Sequence, residues 1–269
     1  MAGSRDRWEQ TWLRFSGRDG VNTMRGLEDI VNIPFITTDQ MREVDRAMIE
    51  DYGISLVQMM ENAGRNLAQL ARGRFLQGDP TGRRVLVLAG KGGNGGGGMV
   101  CARRLHNWGA EVQLWTTAPG EELAGVPLHQ LGILERMGVP TISAGESSTL
   151  PPADLLVDAL IGYSLTGPPR GLAANLIDAA NNHGAPILSL DVPSGVDSAT
   201  GAATGSVIRA TATMTLAMPK VGFEAESARR HIGELYLADI SVPPELYAKP
   251  PLNLDVPNVF AEDDIVRLW

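Results

Sequence analysis

The stretch RVLVLAGKGGNGGGGMVCARRLHNWG, residues 84–109, holds three pieces in a diagnostic order. RVLVLAG is an unbroken apolar run, the pattern of a strand buried on both faces. GKGGNGGGG, residues 90–98, follows as a glycine-rich loop. GMVCARRLHNWG, residues 98–109, then reads as a helix that stops at Gly109. Strand, glycine loop and helix together bring backbone N–H groups and the positive end of a helix to an anionic ligand. A loop that is merely flexible is the alternative, and the context argues against it. Gly90, Gly92 and Gly95 satisfy G-x-G-x-x-G. A dinucleotide fold of the usual kind would add an acid roughly 20 residues on, at the end of the second strand. That strand, EVQLWTT (111–117), ends without one, and no Gly-Lys-Ser/Thr follows the loop.

Outward from this stretch the alternation continues. Helices are predicted at 126–138 and about 170–183. Further strands are predicted at 155–162, 186–195, 211–218 and 234–240. Upstream, residues 38–50 read as a helix capped by Thr38 or Asp39, with Met41, Val44, Met48 and Ile49 as its apolar stripe. Residues 54–77 read as a second helix with Met59, Ala63, Leu67 and Leu70 on one face. Six apolar strands alternating with helices imply a Rossmann-like three-layer αβα sandwich with a mostly parallel sheet and extra N-terminal helices. The expected organisation is an N-terminal arm (1–36), one domain (37–248) and a Pro-rich C-terminal tail (249–269) lying extended on the surface. In the arm, Trp8, Trp12 and Phe15 follow helical spacing and offer an apolar surface for a homodimer; a frayed tail is the alternative.

Composition narrows the function classes. The chain has 269 residues, a net charge of −8, one cysteine (Cys101) and four dispersed histidines. Nucleic-acid binding would need a basic face. No apolar stretch is long enough to span a membrane. A lone cysteine fits a reducing compartment, and the N-terminus lacks a secretory signal, so a cytoplasmic location is expected. Zinc would need more Cys and His ligands.

Two further segments carry chemistry. In VDALIGYSLTGPPRG (157–171), Asp158 lies in an apolar strand, where a charge needs a partner, a cation or a structural hydrogen bond. In LSLDVPSGVD (188–197), Asp191 ends a buried strand and is placed for acid–base work, or else caps its turn. In open α/β sheets, ligands bind beyond the carboxyl ends of the strands, where these loops converge.

In their order and spacing these segments resemble the YjeF N-terminal-domain family, the NAD(P)H-hydrate epimerases, over about residues 37–245. MMENAGRNLA (59–68), GKGGNGGGGMVCAR, VDALIGYSLTG, LSLDVPSGVD and MPKVGF (218–223) carry the resemblance. It implies a substrate, NADH or NADPH hydrated at carbon 6 of the nicotinamide ring, and interconversion of the R and S epimers so that a dehydratase can repair the S form. Many relatives continue into a dehydratase domain; this chain stops near residue 269, so a separate dehydratase is expected. The resemblance also implies a potassium ion held by Asn94, Asp158 and Ser194. It places Gly93, Asn94, Gly95, Gly96 and Gly97 against the substrate, with Gly162, Tyr163, Ser164, Leu165, Thr166, Gly167 and Pro168, and with Asp191 as the general acid–base. Lys220 is a candidate for orientation or charge stabilisation, or a surface lysine. Asp191→Asn is expected to remove turnover and leave the fold intact.

The glycine loop departs from the family twice. Gly93 stands where the family carries Asn, and Gly97 where it carries Asp. Each lost hydrogen bond is worth roughly 0.5–1.5 kcal/mol. These departures keep open a second function, a nucleotide-binding or scaffolding module without turnover. An ordinary dehydrogenase is disfavoured by the missing ribose acid and the lack of a Tyr-x-x-x-Lys pair.

Overall fold

The computed structural model describes residues 33–143 and 149–269; Trp8, Trp12 and Phe15 lie outside the described residues. In chain order its elements are α1 (Thr38–Glu50), α2 (Leu56–Leu70), a π turn (Ala71–Phe75), β1 (Arg84–Ala89), α3 (Gly93–Asn107), β2 (Glu111–Thr116), α4 (Gly125–Arg136), β3 (Thr141–Ser143) and β4 (Leu155–Ala159). They continue with α5 (Gly171–Asn181), β5 (Ile187–Leu190), β6 (Ala212–Leu216), α6 (Glu226–Ile232), β7 (Glu234–Ala238), α7 (Pro244–Ala248) and β8 (Ile265–Arg267).

The run at 84–89 becomes the central strand because both its faces are covered. Val85, Val87 and Ala89 point into one core with residues of α2 and α3. Leu86 and Leu88 point into a second core with Leu176 and Ile177 of α5. The sheet order is β3-β2-β1-β4-β5-β6-β7-β8. Every neighbouring pair is parallel except β7 and β8. The chain runs outward from β1 to β3, then returns to place β4 beside β1. That reversal is a topological switch point: the loops after β1 and β4 diverge and leave a crevice at the carboxyl ends of the strands. The expected fold class is the one observed.

Three local expectations need correcting. First, helix α3 starts at Gly93, so most of the predicted glycine loop is helix. Five glycines in its first six residues cost roughly 4–5 kcal/mol in helix propensity relative to alanine. Close packing offsets this. A Cβ on Gly98 would lie 2.4 Å from Ala159 Cβ, and one on Gly64 of α2 would lie 2.5 Å from the Gly97 carbonyl oxygen. The glycines are therefore contact surfaces between helix and helix, and helix and sheet. Second, α1 is capped by Thr37, whose hydroxyl accepts from Gln40 N while Gln40 Oε1 accepts from Thr37 N. Third, the C-terminal segment is not a surface tail. Leu252 and Val259 are buried, and Ile265–Arg267 adds the antiparallel strand β8. With β3, this brings six expected strands to eight. Both missed strands have three residues, too short for periodicity to register. Among the described residues no helix is long and apolar enough to cross a membrane.

Candidate active site

The residue after β5 is Asp191. Its backbone is left-handed, with φ of 65°, a conformation that Asp tolerates better than most residues. Its own N–H stays bonded to Met214 O at 2.7 Å, so the turn is fixed to β6 rather than loose. The side chain does not cap that turn. Oδ2 accepts from Tyr163 N at 3.1 Å, and Oδ1 accepts from Lys220 Nζ at 2.5 Å.

Lys220 is fully buried. Its ammonium also donates to Leu216 O at 2.9 Å and Thr215 Oγ1 at 3.2 Å, so three donors meet three acceptors. It is no surface lysine: it ties the loop after β6 to the carboxylate after β5.

Asp158 sits within β4, between Leu88 of β1 and Ser189 of β5. It is fully buried, and burial pushes its carboxyl upward. Four protein donors oppose that. Ser194 Oγ (2.5 Å) and Leu160 N (3.2 Å) bond Oδ1; Ser189 Oγ (2.8 Å) and Ser194 N (2.9 Å) bond Oδ2. The buried charge thus has the structural partners that the sequence left open. Asn94, in the first turn of α3, donates from Nδ2 to Leu190 O at 3.2 Å.

Asp191 and Asn94 line a cavity of about 340 Å³ at the switch point, with Lys220 and Asp158 buried behind its wall. Gly93, Asn94, Gly162, Tyr163, Ser164 and Asp191 are on its wall. The N-cap of α3 is Gly92, which offers no side-chain cap, so the first N–H groups of the helix are left for a ligand. Gly95, Gly96 and Gly97 are buried within α3 instead. A Cβ on Gly97 would meet Leu190 Cδ2 at 2.8 Å. Leu165 lines a neighbouring cleft with Arg42 and Asp197, and Thr166, Gly167 and Pro168 are exposed further along the loop.

Asp45 of α1, which sequence reasoning missed, is also on the cavity wall. Its Oδ2 accepts from the Tyr163 hydroxyl at 2.6 Å. Burial raises its carboxyl above the ordinary range, and the same burial together with the charge of Asp45 raises the Tyr163 phenol, which remains a proton donor. The available signal was position: Asp45 lies four residues from Met41, on the edge of a stripe that packs inward.

A doubly wound α/β protein with a buried carboxylate–ammonium pair and an open helix N-terminus at its switch point is the class that fold and site define. More particularly, a family model described as YjeF-related protein N-terminus matches residues 56–222, and the chain belongs to that family. It is 45% identical over 218 residues to an NAD(P)H-hydrate epimerase of Dehalogenimonas lykanthroporepellens, covering 81% of this chain and 86% of that one. It is 37% identical over 223 residues to an NAD(P)H-hydrate epimerase of Rhodopirellula baltica, covering 82% and 89%. A bifunctional NAD(P)H-hydrate repair enzyme, Nnr, of Moorella thermoacetica is 37% identical over 225 residues, but only 42% of its length is matched. The crystal structure of the yeast protein ynu0 superposes with a TM-score of 0.74 at 26% identity, covering 87% of this chain and all of that one.

Proposed function

We propose that this chain interconverts the C6 epimers of hydrated NADH and NADPH. The observation that carries the reading is Asp191, held by buried Lys220 on the wall of a cavity at the switch point. A volume of 340 Å³ is at the lower end for small-molecule sites and suits the ring-bearing half of a dinucleotide. The pyrophosphate has the open N-terminus of α3 to bind. Asp191 is the acid–base group that assists loss and return of the C6 hydroxyl, with Lys220 fixing its orientation. The non-catalytic alternative loses force at Gly97, whose position packs on Leu190.

The potassium ion belongs to this proposal. Asn94, Asp158 and Ser194 bring oxygen donors and one negative charge, the chemistry a hard cation takes. Both Asp158 oxygens already accept two hydrogen bonds. An ion on Asp158 therefore needs one donor to yield, and the Ser194 hydroxyl can rotate its proton away. When bound, the ion supplies positive charge to the loops that hold the substrate. A dehydratase that consumes the S epimer completes the repair.

The test is Asp191→Asn, assayed with pure R epimer and a dehydratase that consumes only S. Asn tolerates the left-handed backbone, and turnover should fall about 10²- to 10⁴-fold. The expectation of an unaltered fold is revised, because the change leaves the Lys220 ammonium buried beside a neutral amide. Melting should fall too, so kcat must be read below the melting transition. Wild-type turnover in the variant would refute the catalytic role.

A further inference from the structure

We infer that Asp45 is a second acid–base group of the same site, coupled to Asp191 through Tyr163. The inference rests on the epimerase reading. Tyr163 is bonded to both carboxyl groups: its backbone N–H donates to Asp191 Oδ2 at 3.1 Å and its hydroxyl donates to Asp45 Oδ2 at 2.6 Å. One residue thus spaces two carboxyl groups by the length of a tyrosine side chain, and both line one cavity. They enter from different walls, Asp191 from the sheet end and Asp45 from α1.

Inverting a carbon that bears a hydroxyl needs a bond broken on one face and formed on the other. A single fixed carboxylate reaches one face. With two, the Asp45 carboxyl gives its proton to the departing hydroxyl. The C6–O bond breaks, the oxygen keeps the electron pair and leaves as water, and the N1 lone pair closes a C6=N1 iminium. Water adds to the opposite face, its proton passes to the Asp191 carboxylate, and the electron pair returns to N1. Nothing is oxidised or reduced, and the reverse reaction exchanges the two roles. Asp45 is only half-buried, and proton exchange with solvent resets the pair.

The environments of the two groups differ in the sense this division needs. Asp191 is bonded to an ammonium. Among the described residues Asp45 has no ion pair; its hydrogen-bonding partner is a phenol, and burial favours its protonated form. The charged and titratable groups facing it are Tyr163 and Asp191 from the loops after β4 and β5, Lys220 from the loop after β6 and Tyr247 of α7. Arg42 on its own helix interacts with Tyr163. Pairs of groups whose surroundings separate their proton affinities are the usual source of acid and base roles.

The test measures kcat, KM and the pH profile for the wild type, Asp45→Asn, Tyr163→Phe and Asp191→Asn, on pure R epimer with an S-specific dehydratase. Asp45→Asn is expected to lower kcat about 100-fold with KM within about threefold, a size usual for general acid–base groups. It should also remove the high-pH fall of kcat, because the working form of Asp45 is protonated and is lost as pH rises through its raised pKa. Tyr163→Phe keeps the ring and removes the link; kcat should fall about 10-fold. An active wild type, inactive Asp191→Asn and an Asp45→Asn variant within twofold in kcat, or changed only in KM, overturns this inference and leaves the epimerase reading standing. If Asp45→Asn does not fold, wild-type kcat in Tyr163→Phe overturns it. A wild type inactive on both hydrates overturns the reading, and this inference with it.

Discussion

Lys220 Nζ lies 2.5 Å from Asp191 Oδ1, with side-chain exposures of 0% and 5%, so a charge pair removed from water joins the loops after β5 and β6. Such a pair stabilises little relative to an apolar replacement, but breaking it is costly because one charge remains buried alone. Lys220→Met should destabilise by about 3–5 kcal/mol, measured by urea unfolding. Lys220→Met combined with Asp191→Asn should cost less than the sum of the two single changes, because each partner is then neutral. Additivity would mean that the two charges are not coupled.

The glycines of α3 predict opposite outcomes for the same substitution. A Cβ at Gly98 meets Ala159 Cβ at 2.4 Å, so Gly98→Ala should cost about 1–3 kcal/mol or more through overpacking. At Gly93 the nearest atom is Met60 Sδ at 3.9 Å, so Gly93→Ala should be neutral or stabilise by up to about 1 kcal/mol. Gly93→Asn adds an amide side chain on the cavity wall. It should tighten nucleotide binding by about one hydrogen bond, roughly 0.5–1.5 kcal/mol by calorimetry. Equal melting of Gly98→Ala and the wild type would refute the packing role.

The alternation of apolar strands with helices, and the three loops at their carboxyl ends, were legible because strand burial and turn chemistry are local. The strand order and the switch point come from the structure, because alternation does not say which strands are neighbours. What escaped depends on contacts distant in sequence. Asp45 and Tyr163 are separated by 118 residues, and the helical position of Asp45 marks it only as turned inward, not as facing a site. Lys220 could be read as a surface residue because only the fold brings it to Asp191. The helical state of Gly93–Gly98 was hidden because propensity disfavours it, and tight tertiary packing overrides propensity. The four donors around Asp158 come partly from β5 and its following turn, so the sequence could state that the charge needed partners but not which ones.

Glu234 of β7 carries a pH dependence. Hydrogen bonds from the Arg74 guanidinium, at 2.9 and 3.0 Å, outweigh desolvation and hold its carboxyl down at about 2, below the usual 4.5; the Tyr236 hydroxyl adds to this. A depressed folded pKa contributes stability above the unfolded value and loses it as pH falls through the folded one. Denaturant unfolding from pH 6 down to pH 2 should therefore show a decline between pH 4.5 and about 2 that Glu234→Gln makes shallower. Parallel curves for the two proteins would exclude this role.

Asp158 and potassium can be separated by two readouts. Asp158→Asn replaces one acceptor oxygen by an amide nitrogen that faces hydrogen-bond donors. Whichever oxygen is replaced, one backbone N–H, of Leu160 or Ser194, loses its acceptor in a fully buried site, while the serine hydroxyl on that oxygen can turn to accept from the new amide. That orphaned donor costs about 1–3 kcal/mol, so the variant should melt below the wild type in any salt. The ion acts by mass action on the folded state, worth about 2.7 kcal/mol when its concentration is a hundredfold above Kd. Wild-type protein should then melt higher in potassium chloride than in choline chloride at the same ionic strength. Asn94→Ala should keep the melting temperature in choline nearly unchanged, since among the described residues its side chain makes one hydrogen bond, the 3.2 Å contact to Leu190 O, and should lose the potassium increment. Wild type that melts identically in both salts would remove the ion from the site and leave Asp158 a purely structural carboxylate, held by Ser189, Ser194 and the Leu160 amide.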